Sequence, residues 1–235
     1  MNDKVKGIIL KINDYKENDQ MIFALCKDYG VLSLIGKSSR KISSKQHFYE
    51  GCYYEFMIDY KEGKTIFGIH GSKLIKAYYD LNNTALFSYK NIFLDLTYKA
   101  KDIIDNNCFE NLLFMLEEIN DGNKYLCGSL YLSYLLRIFG ISPNVDECVM
   151  CGNKKVVAIS SGQGGFLCID HLKGERVLDV DTLRKFRLVA KANYTNFDDI
   201  KDKYSFEDFA LLMDFFMHNS SINSKPYDFF KIIKG

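Results

Sequence analysis

The sequence predicts an α+β chain of two domains, in which a small β-barrel precedes a mainly helical region that carries a short insert. Three observations support this prediction. Apolar residues alternate with polar ones up to about residue 78, they recur at helical spacing after about residue 80, and Cys and His residues cluster between positions 144 and 174. The predicted domains are therefore 1–78 and 79–235, with the insert at 144–174. Of the 235 residues, 47% are hydrophobic and 26% are charged, which is typical of a globular protein and not of a disordered one.

Five segments of the first domain have the character of β-strands. Ile8, Leu10 and Ile12 alternate with more polar neighbours, and the same period recurs from Tyr54 to Tyr60. The segments between the strands are rich in Gly, Ser and charged residues. The predicted strands lie around residues 8–12, 21–26, 31–35, 54–60 and 65–75. Five strands in fewer than 80 residues predict a small barrel, and the OB fold is the common five-stranded barrel that binds oligonucleotides.

The helical region begins after residue 80. Leu112, Leu116 and Ile119 belong to one stripe with helical spacing, and Leu132, Leu135 and Phe139 belong to another. Ser205, with Asp208 three residues later, is typical of a helix start in which the two residues cap each other. The apolar stripe that follows, between residues 206 and 217, is expected to pack in the core.

The insert contains two pairs of metal-ligand residue types. Cys148 and Cys151 form the first pair, and Cys168 and His171 form the second pair after sixteen intervening residues. Two short turns that each present two donors supply the tetrahedral geometry of zinc. Four protein ligands leave no position for an activated water, so we expect one structural Zn²⁺. A disulfide or a thioredoxin-type redox pair is the weaker alternative.

The four remaining cysteines, Cys26, Cys52, Cys108 and Cys127, are expected to be free and buried. Seven cysteines, together with the lack of an export signal, indicate a reducing cytoplasm, where a DNA-associated protein would lie at the nucleoid. No apolar run reaches the roughly 20 residues that a membrane span needs. The sequence has no nucleophile elbow, metalloprotease pair or dinucleotide motif, and Gly30 to Ser38 only approximates a phosphate-binding loop. The protein is therefore not expected to be an enzyme.

A basic segment between residues 37 and 48 is the candidate nucleic-acid site. Lys37, Arg40, Lys41 and Lys45 lie there with no acidic residue among them, and the serines between them can donate to phosphate oxygens. A flexible basic loop of this kind can follow a DNA backbone. The alternative interpretation is an ordinary solvated loop in a lysine-rich chain. Three nearby tyrosines could stack on bases, although the alternation places one of them inside the barrel: Tyr49, Tyr53 and Tyr54.

The order and spacing of several motifs resemble the RecO family of recombination mediators across nearly the whole chain. In the first domain these motifs are residues 6–11, 14–19, 30–32, 36–41 and 44–45; in the second they are residues 135–143, 148–152 and 164–168. The resemblance implies an OB fold, a helical domain and a zinc ribbon. It also implies binding of single- and double-stranded DNA, annealing of complementary strands, and loading of a recombinase onto strands coated with single-strand-binding protein. The partners that it implies are RecR and the acidic C-terminal tail of the single-strand-binding protein.

Two features depart from this pattern. His171 stands where many members of the family have cysteine, which makes metal binding more sensitive to pH because the imidazole must be neutral to bind. The net charge is only +1, so tight DNA binding would need a partner or a second basic patch, for which Arg184, Arg187 and Lys191 are candidates. Arg137 is either a contact for an acidic tail or, more plainly, a packing residue of its helix. The alternative to a DNA-binding mediator is a zinc-stabilised scaffold for protein interactions without direct DNA binding.

Overall fold

A computed structural model describes residues 3–79 and 83–233 of the chain. Contacts divide the chain into two compact units. The first unit comprises the residues up to Glu117 together with those from Ser224 onward, and the second comprises Glu118–Asn223. The domain bounds 1–78 and 79–235 stay a prediction, since the contacts group three helices with the barrel.

The first unit is built on a closed barrel of five strands, as predicted. The strands are β1 (Asp3–Tyr15), β2 (Asp19–Cys26), β3 (Gly30–Gly36), β4 (Cys52–Ile58) and β5 (Ile66–Ala77). Their order around the barrel is β1-β2-β3-β5-β4, and β4 pairs with β1 to close it. Only β3 and β5 are parallel, because the chain crosses from β3 to β4 before it returns to β5. The result is the predicted OB-like topology.

The interior of the barrel follows the period-two pattern of its strands. In β4, Tyr54, Phe56 and Ile58 are buried while Glu55 and Met57 face outward, as alternation requires. Phe48, which precedes β4, is buried and packs against Tyr54 with ring centroids 5.6 Å apart. The end of the loop between β3 and β4 is thereby anchored in the barrel core.

Three helices complete the first unit: α1 (Thr84–Lys99), α2 (Cys108–Glu118) and, near the carboxyl end, α6 (Lys225–Ile233). The Tyr89 ring of α1 packs against Phe230 of α6 at 4.9 Å. Tyr53, on the outer face of β4, packs against Phe109 of α2 at 5.7 Å. The periodicity had predicted α2 but not α1 or α6, since α1 buries residues on more than one face and α6 is short.

The second unit contains α3 (Lys124–Ile138), α4 (Val180–Lys191) and α5 (Phe206–Ser220) around an apolar core. Phe186 of α4 packs against Phe215 of α5, with centroids 6.2 Å apart. The predicted start of α5 is confirmed, because the Ser205 hydroxyl accepts from the Asp208 amide and the Asp208 carboxylate accepts from the Ser205 amide. A two-stranded hairpin of β6 (Ala158–Ser160) and β7 (Gly165–Leu167) supports the predicted insert.

None of the helices in the described ranges is both long enough and apolar enough to cross a membrane.

Candidate metal centre and nucleic-acid interface

The structure brings the four predicted metal ligands together. One donor atom from each of Cys148, Cys151, Cys168 and His171 lies within 4.8 Å of all the others. The Sγ atoms of Cys151 and Cys168 are 3.8 Å apart, and His171 Nδ1 is 3.2 Å from Cys168 Sγ. A tetrahedron with zinc–sulfur bonds of about 2.3 Å has sulfur atoms about 3.8 Å apart. The donor set and its spacing therefore fit a tetrahedral metal ion.

The first pair of ligands lies on a tight turn after α3. The Cys148 carbonyl accepts from the amides of Cys151 and Gly152, at 3.3 and 2.8 Å. Gly152 has a φ of +74°, in the left-handed region that glycine adopts without a steric penalty. The Cys148 amide in turn donates to the Asn153 carbonyl at 2.9 Å. These bonds hold the sulfurs of Cys148 and Cys151 on the same side of the turn.

The second pair follows the hairpin of β6 and β7. Cys168 comes directly after β7, and a short 3-10 helix over residues 169–171 places His171 one turn later. The Val149 amide donates to the Phe166 carbonyl at 2.9 Å, which joins the first turn to β7. Gly165 approaches Asn144 so closely that a Cβ would lie 2.2 Å from the Asn144 carbonyl oxygen. Backbone contacts, and not only a metal, therefore fix the positions of the two ligand pairs relative to each other.

The electrostatics of the cluster favour binding of a cation. Burial acts to raise the pKa of the Cys148 thiol, but amide donors from Cys168, Met150 and Cys151 outweigh it and lower that pKa to about 6. Burial and the adjacent cysteines raise the pKa of Cys168. Without a cation the clustered thiols cannot all ionise, because each thiolate opposes the next. A divalent ion with affinity for sulfur and nitrogen would offset two of the three thiolate charges and so allow all three thiols to ionise.

The other four cysteines are buried and lie outside any disulfide, as predicted. Burial raises the pKa of Cys26 and of Cys127 to about 12 and that of Cys52 to about 11. The thiols of these three residues therefore stay protonated at neutral pH and behave as small apolar side chains.

The predicted basic residues all lie on the exposed loop between β3 and β4: Lys37, Arg40, Lys41 and Lys45. The turn between β1 and β2 and the first residues of β2 hold the beginning of this loop in place. The Ser38 amide donates to Asp19 Oδ1 at 2.8 Å, and the Arg40 amide donates to the Asn18 carbonyl at 3.1 Å. The buried Ser39 hydroxyl donates to Gln20 Oε1 at 2.8 Å. The first part of the loop is therefore a fixed feature of the barrel end.

Arg40 differs from the three lysines in its surroundings. Its guanidinium lies 3.3 Å from Asp14 Oδ2 and donates to the Glu17 carbonyl at 3.3 Å. Within residues 3–79 and 83–233, no carboxylate pairs with Lys37, Lys41 or Lys45. The sequence groups the four charges into one candidate site. The pairing with Asp14 does not show in the sequence, because the end of β1 reaches this loop only when β1 pairs with β2 and β2 pairs with β3.

The tyrosines near the loop have different environments. Tyr54 points into the barrel, as its alternation predicted, and its hydroxyl donates to the His47 carbonyl at 3.1 Å. Tyr53 packs on α2. Tyr49 is 53% exposed, with its ring centroid 6.2 Å from that of Tyr79. Of the three, Tyr49 is therefore the one whose ring a DNA base can reach.

The candidate second basic patch on α4 is neutralised by acidic partners. Arg184 is bound by Asp202 and Asp181, at 2.6 and 2.7 Å. Arg187 and Lys191 both pair with Asp146, and the hydrogen bond from Lys191 is the main reason that the Asp146 pKa lies below its usual value. These charges are less available to phosphates than the sequence suggested.

Arg137 has contacts within the second unit. Its guanidinium donates to Ser133 Oγ and to the Ala192 carbonyl, both at 2.9 Å. Because Ala192 ends α4, Arg137 links α3 to the end of that helix. This contact agrees with the packing interpretation of Arg137.

Comparison with known proteins gives consistent matches along the chain. The family model described as Recombination protein O N terminal matches residues 1–78, and the model described as Recombination protein O C terminal matches residues 78–205. A DNA repair protein RecO of Bacillus cytotoxicus is 26% identical over 181 residues, which are 73% of this chain and 71% of the relative. One from Acetivibrio thermocellus is 27% identical over 220 residues, which are 87% of this chain and 83% of the relative. One from Dehalococcoides mccartyi is 26% identical over 205 residues, which are 82% and 80% of the two chains.

Proposed function

Because this chain belongs to the RecO family of DNA repair proteins, we propose that it is a recombination mediator that acts by binding DNA. It binds single and double strands, anneals complementary strands and helps to load a recombinase onto strands coated with single-strand-binding protein. RecR and the acidic C-terminal tail of the single-strand-binding protein are its proposed partners.

The observation that carries this proposal is the basic loop at one end of the barrel. Lys37, Lys41 and Lys45 are exposed and, in the described part of the chain, have no carboxylate partner. Hydrogen bonds to the first residues of β2 hold the beginning of the loop, and the buried Phe48 ring holds its end. A basic segment fixed at both ends presents its charges to a phosphate backbone at a smaller cost in conformational entropy than a free loop.

The mechanism needs no chemical step. Each lysine that neutralises a phosphate releases condensed counterions, so affinity is independent of sequence and weakens with salt. When phosphates of two strands are neutralised on one surface, the repulsion between the strands falls, and complementary bases can pair without an energy source. Arg40 contributes less than the lysines because Asp14 already offsets its charge.

The proposed role of the metal centre is to stabilise the second unit, and zinc is the proposed ion. Three thiols and one imidazole are a donor set of structural zinc sites, and four protein ligands fill a tetrahedral shell. When bound, the ion would compensate the thiolate charges and tie the two ligand turns together.

The test is a fluorescence-anisotropy titration of labelled single-stranded DNA at several salt concentrations. The wild-type affinity should fall along a straight line on a log–log plot. The Lys37→Ala, Lys41→Ala, Lys45→Ala triple variant should reduce the steepness of that line by about two, since each lost phosphate contact removes about 0.7 from a single-strand slope. A matched control is the Lys61→Ala variant, which removes an exposed lysine from the loop between β4 and β5.

An unchanged slope in the triple variant would remove the loop from the mechanism. No DNA binding even at low salt would overturn the mediator proposal and would favour the protein-interaction scaffold. Retention on heparin at low salt gives an independent measure of the affinity for a polyanionic backbone.

A further inference from the structure

An open cleft of about 650 Å³ lies at the same end of the barrel as the basic loop. The end of β1, the residues that precede β4, and the beginning of α1 form its walls, all within the first unit. The aromatic lining includes Tyr49, Tyr79 and Phe87. A cleft of this volume falls in the range of small-molecule sites and is wide enough for a planar ring.

The aromatic wall combines a buried ring, Phe48, with an exposed ring, Tyr49. Phe48 forms part of the lining but is only 4% exposed, because it packs against Tyr54 and Phe56 in the barrel core. The neighbouring Tyr49 leaves 53% of its surface exposed and meets Tyr79 edge-on at 6.2 Å. A large exposed ring supported by a fixed backbone can stack on a planar guest with little reorganisation.

The cleft also offers hydrogen-bonding groups of defined type. Glu50 lines it, and one oxygen of that carboxylate accepts from the Ile12 amide at 2.8 Å, which orients the carboxylate and leaves its second oxygen as an acceptor. Gln20 lines it as well, and its carbonyl oxygen accepts from the Ser39 hydroxyl. The amide nitrogen of Gln20 can donate to a guest. An acceptor and a donor therefore flank the aromatic wall.

The cleft is continuous with the basic loop. Asp14 lines the cleft and pairs with Arg40 of the loop, while Gln20 is bonded to Ser39 of the same loop. Residues 37–48 contain basic but no acidic side chains. A cationic side chain of another protein would also suit rings beside carboxylates, but the positive loop repels such a guest and attracts a polyanion. The guest favoured by charge is part of a nucleic-acid strand.

We propose that this cleft takes one unpaired base of single-stranded DNA, stacked on Tyr49, and that it prefers a base with an exocyclic amino group. The inference depends on the proposed function, since the loop must bind the neighbouring phosphates. The cytosine amino group donates to a carboxylate, and its ring nitrogen accepts from an amide. Thymine presents a carbonyl oxygen where cytosine has the amino group, and the Glu50 carboxylate repels it. The cleft thereby adds a base preference to the binding of DNA phosphates by the loop, which by itself does not distinguish bases.

The experiment measures anisotropy with labelled oligo-dC and oligo-dT of equal length, at pH 8 so that cytosine stays unprotonated. Wild-type protein should bind oligo-dC about fivefold to tenfold more tightly than oligo-dT, the effect of one base contact. Glu50→Gln should bring the ratio close to one, because the amide still accepts from Ile12 but no longer repels thymine. Tyr49→Leu should weaken oligo-dC binding about fivefold or more, whereas Tyr49→Phe keeps the ring and should keep the affinity.

Stacking is followed separately with a single 2-aminopurine placed in oligo-dT. Its fluorescence should be quenched by the wild-type protein and by Tyr49→Phe but not by Tyr49→Leu. The matched control is Tyr29→Leu, which removes a tyrosine of similar exposure, 41%, from the β2–β3 turn where it packs edge-on against Tyr60. Circular dichroism of each variant checks that the barrel is folded.

Equal affinity for the two oligonucleotides, or an unchanged oligo-dC affinity in Tyr49→Leu, would overturn the base site while leaving the phosphate-binding function intact. Binding to neither oligonucleotide at low salt would overturn both proposals. If Tyr49→Leu instead removed affinity for oligolysine and left DNA binding unchanged, the guest would be a cation and the proposal would be wrong.

Discussion

At the scale of single residues, the acidic partner of a basic side chain decides whether its positive charge is available to a phosphate. Arg40 and the loop lysines are alike in the sequence, but Asp14 lies 3.3 Å from the Arg40 guanidinium. On α4, Arg187 and Lys191 share the carboxylate of Asp146, which offsets one of their two positive charges. Exposed pairs of this kind contribute little to stability. They nevertheless subtract positive charge from any phosphate-binding surface.

Removing Asp14 should therefore strengthen DNA binding. In Asp14→Asn the Arg40 guanidinium loses its counter-charge and becomes available to a phosphate, which should add about 0.7 to the single-strand salt slope. Anisotropy titrations of single-stranded DNA between low and physiological salt would measure the change.

The matched comparison is Asp146→Asn, which frees Arg187 and Lys191 on α4. We expect no change in affinity from this variant if the barrel loop is the DNA surface. A gain in Asp146→Asn that equals or exceeds the gain in Asp14→Asn would show that α4 binds DNA and would contradict the assignment to the loop.

At the scale of elements, short backbone contacts position the side chains that carry the chemistry. The hairpin of β6 and β7 delivers Cys168 and His171, and Gly165 within it touches the Asn144 backbone before the first ligand turn. Any larger residue at that point would separate the two turns. The loop between β3 and β4 is held in the same manner, by Ser39 at one end and Phe48 at the other.

We expect Gly165→Ala to weaken the metal centre. The added methyl group would lie 2.2 Å from the Asn144 carbonyl oxygen, and the overpacking should cost about 1–3 kcal/mol and lower the midpoint of thermal unfolding. The control is Gly162→Ala in the same hairpin turn, where the nearest atom to a new Cβ is 3.9 Å away. Zinc content by elemental analysis and the Tm are the readouts. Equal zinc content and Tm in both variants would refute the contact as a determinant of the site.

At the scale of the whole molecule, the chain has two compact units, each with its own core. The barrel core is formed by the inward residues of β1 to β5. The second unit has, besides the apolar core among its helices, a small apolar cluster around Cys148 and Cys168. The cluster around Cys148 and Cys168 contains few large side chains. Small clusters of this kind depend on a metal for much of their stability.

Metal removal should consequently affect one part of the chain much more than the rest. After treatment with a chelator, hydrogen exchange followed by mass spectrometry should show lost protection for the amides of residues 144–178. Protection of β1 to β5 should be unchanged, because the barrel contains none of the four ligands. Restoring Zn²⁺ should restore protection, and a uniform loss across both units would contradict a local structural role for the metal.

The sequence by itself determined the elements whose signals are local. Period-two alternation located the first and fourth barrel strands, and short runs between breaks rich in Gly, Ser and charge located the other three. The capping pattern of Ser205 and Asp208 located the start of α5. The spacing of Cys and His identified the four residues whose donor atoms the fold brings together, because a tetrahedral shell demands pairs of donors on tight turns. The helices α1 and α6 were not located, since burial on several faces removes the periodic signal from α1 and α6 is only nine residues long.

The tertiary structure decided everything that depends on residues far apart in the sequence. The pairing of β1 with β2 and of β2 with β3 brings Asp14 to Arg40 and thereby distinguishes one basic residue of the loop from the other three. Closure of the barrel by β4 on β1, together with the start of α1, assembles Tyr49, Tyr79, Glu50 and Gln20 around one cleft. Local propensity and spacing are properties of a short segment, whereas charge compensation and cleft shape arise only when distant segments pack. For this reason the elements could be predicted from the sequence, and the differences among their exposed residues could not.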